Sequence, residues 1–125
     1  MLFRSTLIDG AVIARAMLEK LRPRVAALTA AGKTPGLAAI LVGENAASEV
    51  YVRNKVKACS DLGLKSSVHR LAAGCSENEL IALIDSLNAD TAIHGIILQL
   101  PLPAHLDPER TTSRILPAKD VDGFS

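Results

Sequence analysis

Gly36 and Gly43 bracket an unbroken apolar run, GLAAILVG, that is too brief for a helix. It has no polar alternation and so offers no face to solvent, which makes it a strand buried on both sides of its sheet. Such a strand needs other elements above and below it.

The flanking sequence supplies them. From Asp9 to Ala31, Ala14, Leu18, Leu21, Val25 and Leu28 recur at spacings of four and three, the apolar face of an amphipathic helix. Gly32 is its stop, and Pro23 is expected to kink or divide it, because proline lacks an N–H and clashes with the preceding turn. A second helix is predicted from Asn45, as cap, to Leu62, with Val52, Val56 and Cys59 inward. A second strand follows at Ser66 to Leu71. Ser76 and Glu79 form an S-x-x-E capping box ahead of Leu80, Leu83, Ile84 and Leu87, which predicts a third helix. Ile93 to Leu100 reads as the third strand, stopped by Pro101-Leu102-Pro103, which lacks two N–H groups. Alternating helices and buried strands imply right-handed crossovers, a mostly parallel sheet and a three-layer αβα sandwich. Ligands of such folds lie beyond the carboxyl ends of the strands. With no repeat, low-complexity tract or linker, residues 1–125 read as one domain.

Composition narrows the function classes. The 125 residues are 49% hydrophobic, enough for a real core. A net charge of +1 with both signs scattered gives no basic stripe, and one Tyr with two Phe gives no stacking platform, so nucleic acid is not expected as a partner. The longest apolar run, Leu37 to Val42, is far short of the roughly 18 residues of a membrane span. Asp9 and Gly10 interrupt what would otherwise resemble a signal peptide, so the expected location is cytoplasmic. Cys59 and Cys75 form no C-x-x-C pair and read as reduced thiols, and His69, His94 and His105 lack ligand spacing, so no metal is expected.

Three places carry candidate chemistry. Ser48, Tyr51 and Lys55 fall at i, i+3 and i+7 of the second helix, presenting a hydroxyl, a phenol and an amine on one stripe. The amine becomes an acid or base near neutral pH only inside a pocket; the alternative is a solvated helix face. Gln99 closes the third strand with an amide that both donates and accepts, or is an ordinary strand end. Lys119-Asp120-Val121-Asp122-Gly123 is either a charged turn or a fixed carboxylate able to accept two parallel N–H bonds from an aminopyrimidinone edge. Neither G-x-G-x-x-G nor G-x-x-x-x-G-K-S/T occurs, so nothing is built to hold a nucleotide pyrophosphate.

Taken together, PGLAAILVGENAASEVYVRNKVKAC (Pro35 to Cys59), GIILQLPLP (Gly95 to Pro103) and PAKDVDGF (Pro117 to Phe124) resemble three signature blocks of the methylenetetrahydrofolate dehydrogenase/cyclohydrolase family, in order and separation. The resemblance covers nearly the whole chain and implies its N-terminal, folate-binding catalytic domain. It implies NADP-dependent oxidation of 5,10-methylenetetrahydrofolate to the methenyl form and hydrolysis to 10-formyltetrahydrofolate, within one-carbon metabolism serving purine and amino-acid biosynthesis. It makes Lys55 the catalytic lysine, Tyr51 the ring packed on folate, Gln99 the partner that keeps the amine functional, Asp122 (with Gly123) the holder of the pterin edge and Ser48 a support of the lysine. Leu98, Leu100, Pro101 and Leu102 would line the cleft.

Two departures leave these groups in place: Leu98 stands where the family usually has Val, and Glu44-Asn45-Ala46 replaces a more familiar turn. Family members continue past the DGF block into a Rossmann-type domain that binds the cofactor. The cofactor site is therefore expected there and not in this chain, whose isolated form should lack dehydrogenase activity, and the complete enzyme is expected to be a homodimer. The competing readings are a non-catalytic folate-binding or regulatory α/β module, and a structural fragment with an empty site.

Overall fold

The computed structural model describes residues 2–121, with side chains from Arg15 onward. Helix α1 (Leu2–Ala30) leads into strand β1 (Gly36–Val42), helix α2 (Ala46–Asp61), strand β2 (Lys65–Leu71), helix α3 (Glu77–Ala89), strand β3 (Gly95–Leu98) and the short helix α4 (Pro108–Thr112). A single 3₁₀ turn, Pro117–Lys119, closes the series.

The strands are all parallel, in the order β2-β1-β3, with Leu37 beside Ser66 on one flank and Gly95 on the other. This topology dictates the layers. The chain moves from β1 to β2 in one direction and from β2 across to β3 in the other, so right-handed crossovers put α2 and α3 on opposite faces. Every residue of β1 is buried, as its sequence requires. Its side chains alternate between two cores: Ala38, Ile40 and Val42 pack with Leu80, Ile84 and Leu87 of α3, whereas Leu37, Ala39 and Leu41 pack with Met17 and Leu21 of α1 and Val52 and Cys59 of α2. The result is the expected αβα sandwich.

Helix α1 runs undivided through Pro23. Pro23 and Glu19, whose carbonyl loses its intrahelical partner, both occupy exposed positions where water can take over. Leu21 is buried and Leu18, Val25 and Leu28 are half-buried, as the spacing predicts, while Met17 joins them unannounced; the side chain of Ala14 lies outside the described set. The helix ends in a Schellman arrangement: Lys33 N–H donates to Leu28 O at 2.9 Å, Gly32 N–H donates to Thr29 O at 3.0 Å, and Gly32 takes φ +76°.

β3 is shorter than Ile93 to Leu100. Ile93 belongs to the turn leaving α3, its N–H donating to Asp90 O, and beyond Leu98 only the Gln99 N–H continues the ladder, to Ile40 O at 3.0 Å. α4 was not anticipated. Asp107 caps it by accepting from the Glu109 and Arg110 N–H groups, and Pro108 occupies its first turn.

Candidate active site

β1 ends at Val42 and α2 begins at once, so the first turns of α2 stand at the carboxyl end of the sheet, next to where β3 also stops. The chain leaves β1 for β2 on one side, while β3 lies on the other side of β1, making this the switch point of the sheet and its natural ligand crevice.

The start of α2 is held firmly. Asn45 Oδ1 accepts from the Ser48 N–H at 3.0 Å, and Glu49 pairs with Arg70 on β2. The hydrogen bond and charge of Arg70 hold the Glu49 carboxyl below its ordinary range. On the stripe itself Ser48 is buried, and its Oγ has no hydrogen-bond partner among the described residues. Tyr51 is 37% exposed, an aromatic face left open at the crevice. Lys55, one turn further, is half-buried.

Lys55 Nζ donates to Gln99 Oε1 at 3.2 Å. With Lys55 donating, the amide oxygen of Gln99 faces Lys55 and its NH₂ points away, where Nε2 donates to Leu100 O at 2.9 Å. Gln99 is itself 7% exposed, so both its polar atoms are committed in a nearly dry setting. Lys55 of the α2 stripe and Gln99 at the end of β3 therefore form one polar pair.

The apolar residues around Gln99 divide. Strand alternation sends Leu98 to the opposite face from Lys55, where it packs in the α3-side core with Leu102 against it, so Leu98 is a core residue and not a cleft wall. Leu100 is half-buried and Pro101 exposed, leaving these two at the rim. Asp122 and Gly123 lie outside the described residues.

The segment before them is well defined. Asp120 bridges to Ile96 in parallel, extending the sheet past β3, and Val121 is buried. Lys119, which the sequence offered only as part of a charged turn, donates its ammonium to the carbonyls of Leu87, Asn88 and Asp90 at 3.1, 2.7 and 2.9 Å. The available signal was α3 itself, which has acidic residues and a capping box at its start but no basic residue in its last turn. A cation from elsewhere was wanted there.

Comparison with known proteins agrees with this geometry. The family described as tetrahydrofolate dehydrogenase/cyclohydrolase, catalytic domain, matches residues 8–122. The bifunctional protein FolD of Polaromonas naphthalenivorans is 56% identical over 118 residues, covering 94% of this chain and 42% of that protein. That of Paraburkholderia phytofirmans is 57% identical over 118 residues, covering 94% of this chain and 41% of its own length. The chain thus spans about two fifths of these relatives. Among solved structures, the bifunctional FolD of Campylobacter jejuni superposes with a TM-score of 0.74 at 42% identity, covering 90% of this chain and 40% of that one. The Trypanosoma brucei enzyme, described as complexed with NADP cofactor and inhibitor, superposes with a TM-score of 0.72 at 36% identity, covering 89% and 38%. The chain belongs to the tetrahydrofolate dehydrogenase/cyclohydrolase catalytic-domain family.

Proposed function

We propose that this chain is the folate-binding catalytic domain of a bifunctional, cytoplasmic, homodimeric enzyme of one-carbon metabolism that serves purine and amino-acid biosynthesis. That enzyme oxidises 5,10-methylenetetrahydrofolate and hydrolyses the methenyl product to 10-formyltetrahydrofolate. The observation that carries the reading is the Lys55–Gln99 hydrogen bond at the carboxyl end of the sheet, within a chain of this family.

In this reading Tyr51 packs on the pterin and aminobenzoate rings, and Asp122 accepts two N–H bonds from the pterin edge. Lys55 sits at the one-carbon bridge, oriented by Gln99 and supported by Ser48. In the hydrolysis, water adds to the methenyl carbon, the bond from that carbon to N5 breaks, N5 takes a proton, and the formyl group remains on N10. The Lys55 amine accepts and returns protons at that carbon, a role typically worth about 10²- to 10⁴-fold in rate.

The oxidation needs a hydride acceptor, which NADP supplies when bound. The strand-to-helix turn from Gly43 to Asn45 does not suit a pyrophosphate: it has one glycine, a carboxylate at Glu44, and the Ser48 N–H already given to Asn45. In this reading the cofactor is held by the part of the longer relatives that this chain does not span.

The test is to supply the full-length protein containing this chain with 5,10-methylenetetrahydrofolate and NADP. Formation of NADPH, then of 10-formyltetrahydrofolate, is expected. Tight folate binding with neither product would instead make this a non-catalytic folate-binding module.

A further inference from the structure

We propose that Lys20 and Arg24 of α1, facing the chain at Asp120 and Val121, form a binding site for a dianionic oxyanion, a phosphate or the head of a phosphomonoester. The site shares no residue with the Lys55–Gln99 pair and does not depend on the folate reading.

A cavity of about 270 Å³ opens here, lined by Lys20, Leu21, Arg24, Asp120 and Val121. Lys20 and Arg24 lie one turn apart, at i and i+4, so both cations stand on the same flank of the helix. Like charges at that spacing repel, and no residue three or four positions from either is acidic. Among the described residues neither side chain has an ion pair. The opposite wall does not neutralise them. Asp120 bridges in parallel to Ile96, which packs in the α3-side core, so strand alternation sends the Asp120 side chain to that face, while Val121 packs with Leu21 on the α1 side. Two unpaired cations thus stand over a cavity with an apolar floor.

Charge and shape select the occupant. A dianion matches both cations, whereas a monoanion answers one. The planar Arg24 guanidinium can donate two parallel N–H bonds to two oxygens of a phosphate, and the Lys20 ammonium a third from one turn away. Arg24 also lines an adjoining cleft with Val25, Leu28, Pro35 and Leu64, apolar surface along which its stem can lie while its charge stays at the cavity. The cavity has room beyond a phosphate group for the few carbons of a phosphomonoester.

The experiment titrates the full-length protein containing this chain with inorganic phosphate and with glycerol 3-phosphate by calorimetry at constant ionic strength, with acetate as the monoanion control. Saturable binding with a Kd on the order of 1 mM is expected for a dianion, and none for acetate. Lys20→Met and Arg24→Met are each expected to weaken that binding about ten-fold, and the double variant to abolish it. Both side chains are exposed, so these variants should fold, which circular dichroism checks. Tighter binding of glycerol 3-phosphate than of inorganic phosphate assigns the cavity to a phosphomonoester; equal or weaker binding assigns it to the free ion. Saturation by neither dianion, equal saturation by acetate, or dianion binding unchanged in the folded variants overturns the proposal, the last by placing the ion elsewhere on the protein. Each of these outcomes leaves the folate reading standing.

Discussion

The Lys55 side-chain nitrogen and the Gln99 amide oxygen meet at 3.2 Å although 44 residues separate them in sequence. An amine on a helix is joined to an amide at a strand end, and each fixes the orientation of the other. Breaking the pair from either side should have unequal effects.

Lys55→Met removes the amine proposed to handle protons but keeps most of the side chain's length and its apolar stem. The folded full-length variant is expected to lose about 10²- to 10⁴-fold in the rate of hydrolysis. Gln99→Ala should lose less, since it leaves the amine in place but unoriented. Steady-state rates beside far-UV circular dichroism check this; near-parental turnover by a folded Lys55→Met protein would remove Lys55 from the chemistry.

Tyr51 presents an open ring at the crevice, so its truncation should act on binding more than on folding. Loss of ring packing worth about 0.5–1.5 kcal/mol predicts folate binding weakened by several-fold in Tyr51→Ala. Calorimetric titration of the full-length protein with tetrahydrofolate reads this directly, and unchanged affinity would place the ring outside the pocket.

Much of this was legible because the local signals agreed with the global fold. GLAAILVG is apolar on both faces and became the central strand; Ser76 and Glu79 announced α3, and their capping box formed. The Ser48, Tyr51, Lys55 stripe was equally readable, but its meaning was not. On spacing alone the amine had as good a claim to water, and only the crossover that returns β3 beside β1 brings Gln99 to it. The bounds of β3 failed for a related reason: Ile93 is as apolar as its neighbours, yet its N–H is drawn into the turn after α3. Leu98 could not be sorted from Leu100 without knowing which face α3 covers. Lys119 finds its partners some thirty residues back, a distance at which no periodicity reports.

Asp85 and Arg114 tie α3 to the segment after α4 through two bonds at 2.8 and 3.0 Å. The Arg114 hydrogen bond, with its charge, holds the Asp85 carboxyl below its ordinary value. A carboxylate with a lowered folded pKa contributes stability above its unfolded value of about 3.9 and loses it as pH falls through the folded value. Both side chains are well exposed, so the effect should be small and weakened by salt. Asp85→Asn is therefore expected to lower Tm slightly at pH 7, with the gap to the parent closing toward pH 3. Thermal melts across that range check it; a gap that is constant with pH would mean the pair does not titrate as described.

Ile84 of α3 is fully buried in the core that α3 forms with β1. Ile84→Ala should cost about 2–5 kcal/mol. In urea the midpoint is expected to fall with the slope unchanged, and a midpoint matching the parent's would show the α3-side core to be loosely packed.

The last prediction concerns the cofactor. Hydride transfer requires the nicotinamide to be held against the folate carbon, and positioning two reactants is worth about 7–11 kcal/mol. None of that comes from the β1–α2 turn, where Glu44 opposes a pyrophosphate and Asn45 has already taken the Ser48 N–H. Residues 1–125, confirmed as folded by circular dichroism, are therefore expected to show no saturable binding of NADP or NAD by calorimetry and no NADPH from 5,10-methylenetetrahydrofolate. In the proposed reading, hydrolysis of the methenyl compound needs only water and the Lys55–Gln99 pair, so a weak activity is expected to survive, reduced where the cleft is more open to water. That activity should disappear on Lys55→Met. Saturable NADP binding by these residues would show that the dinucleotide site has been assigned to the wrong domain.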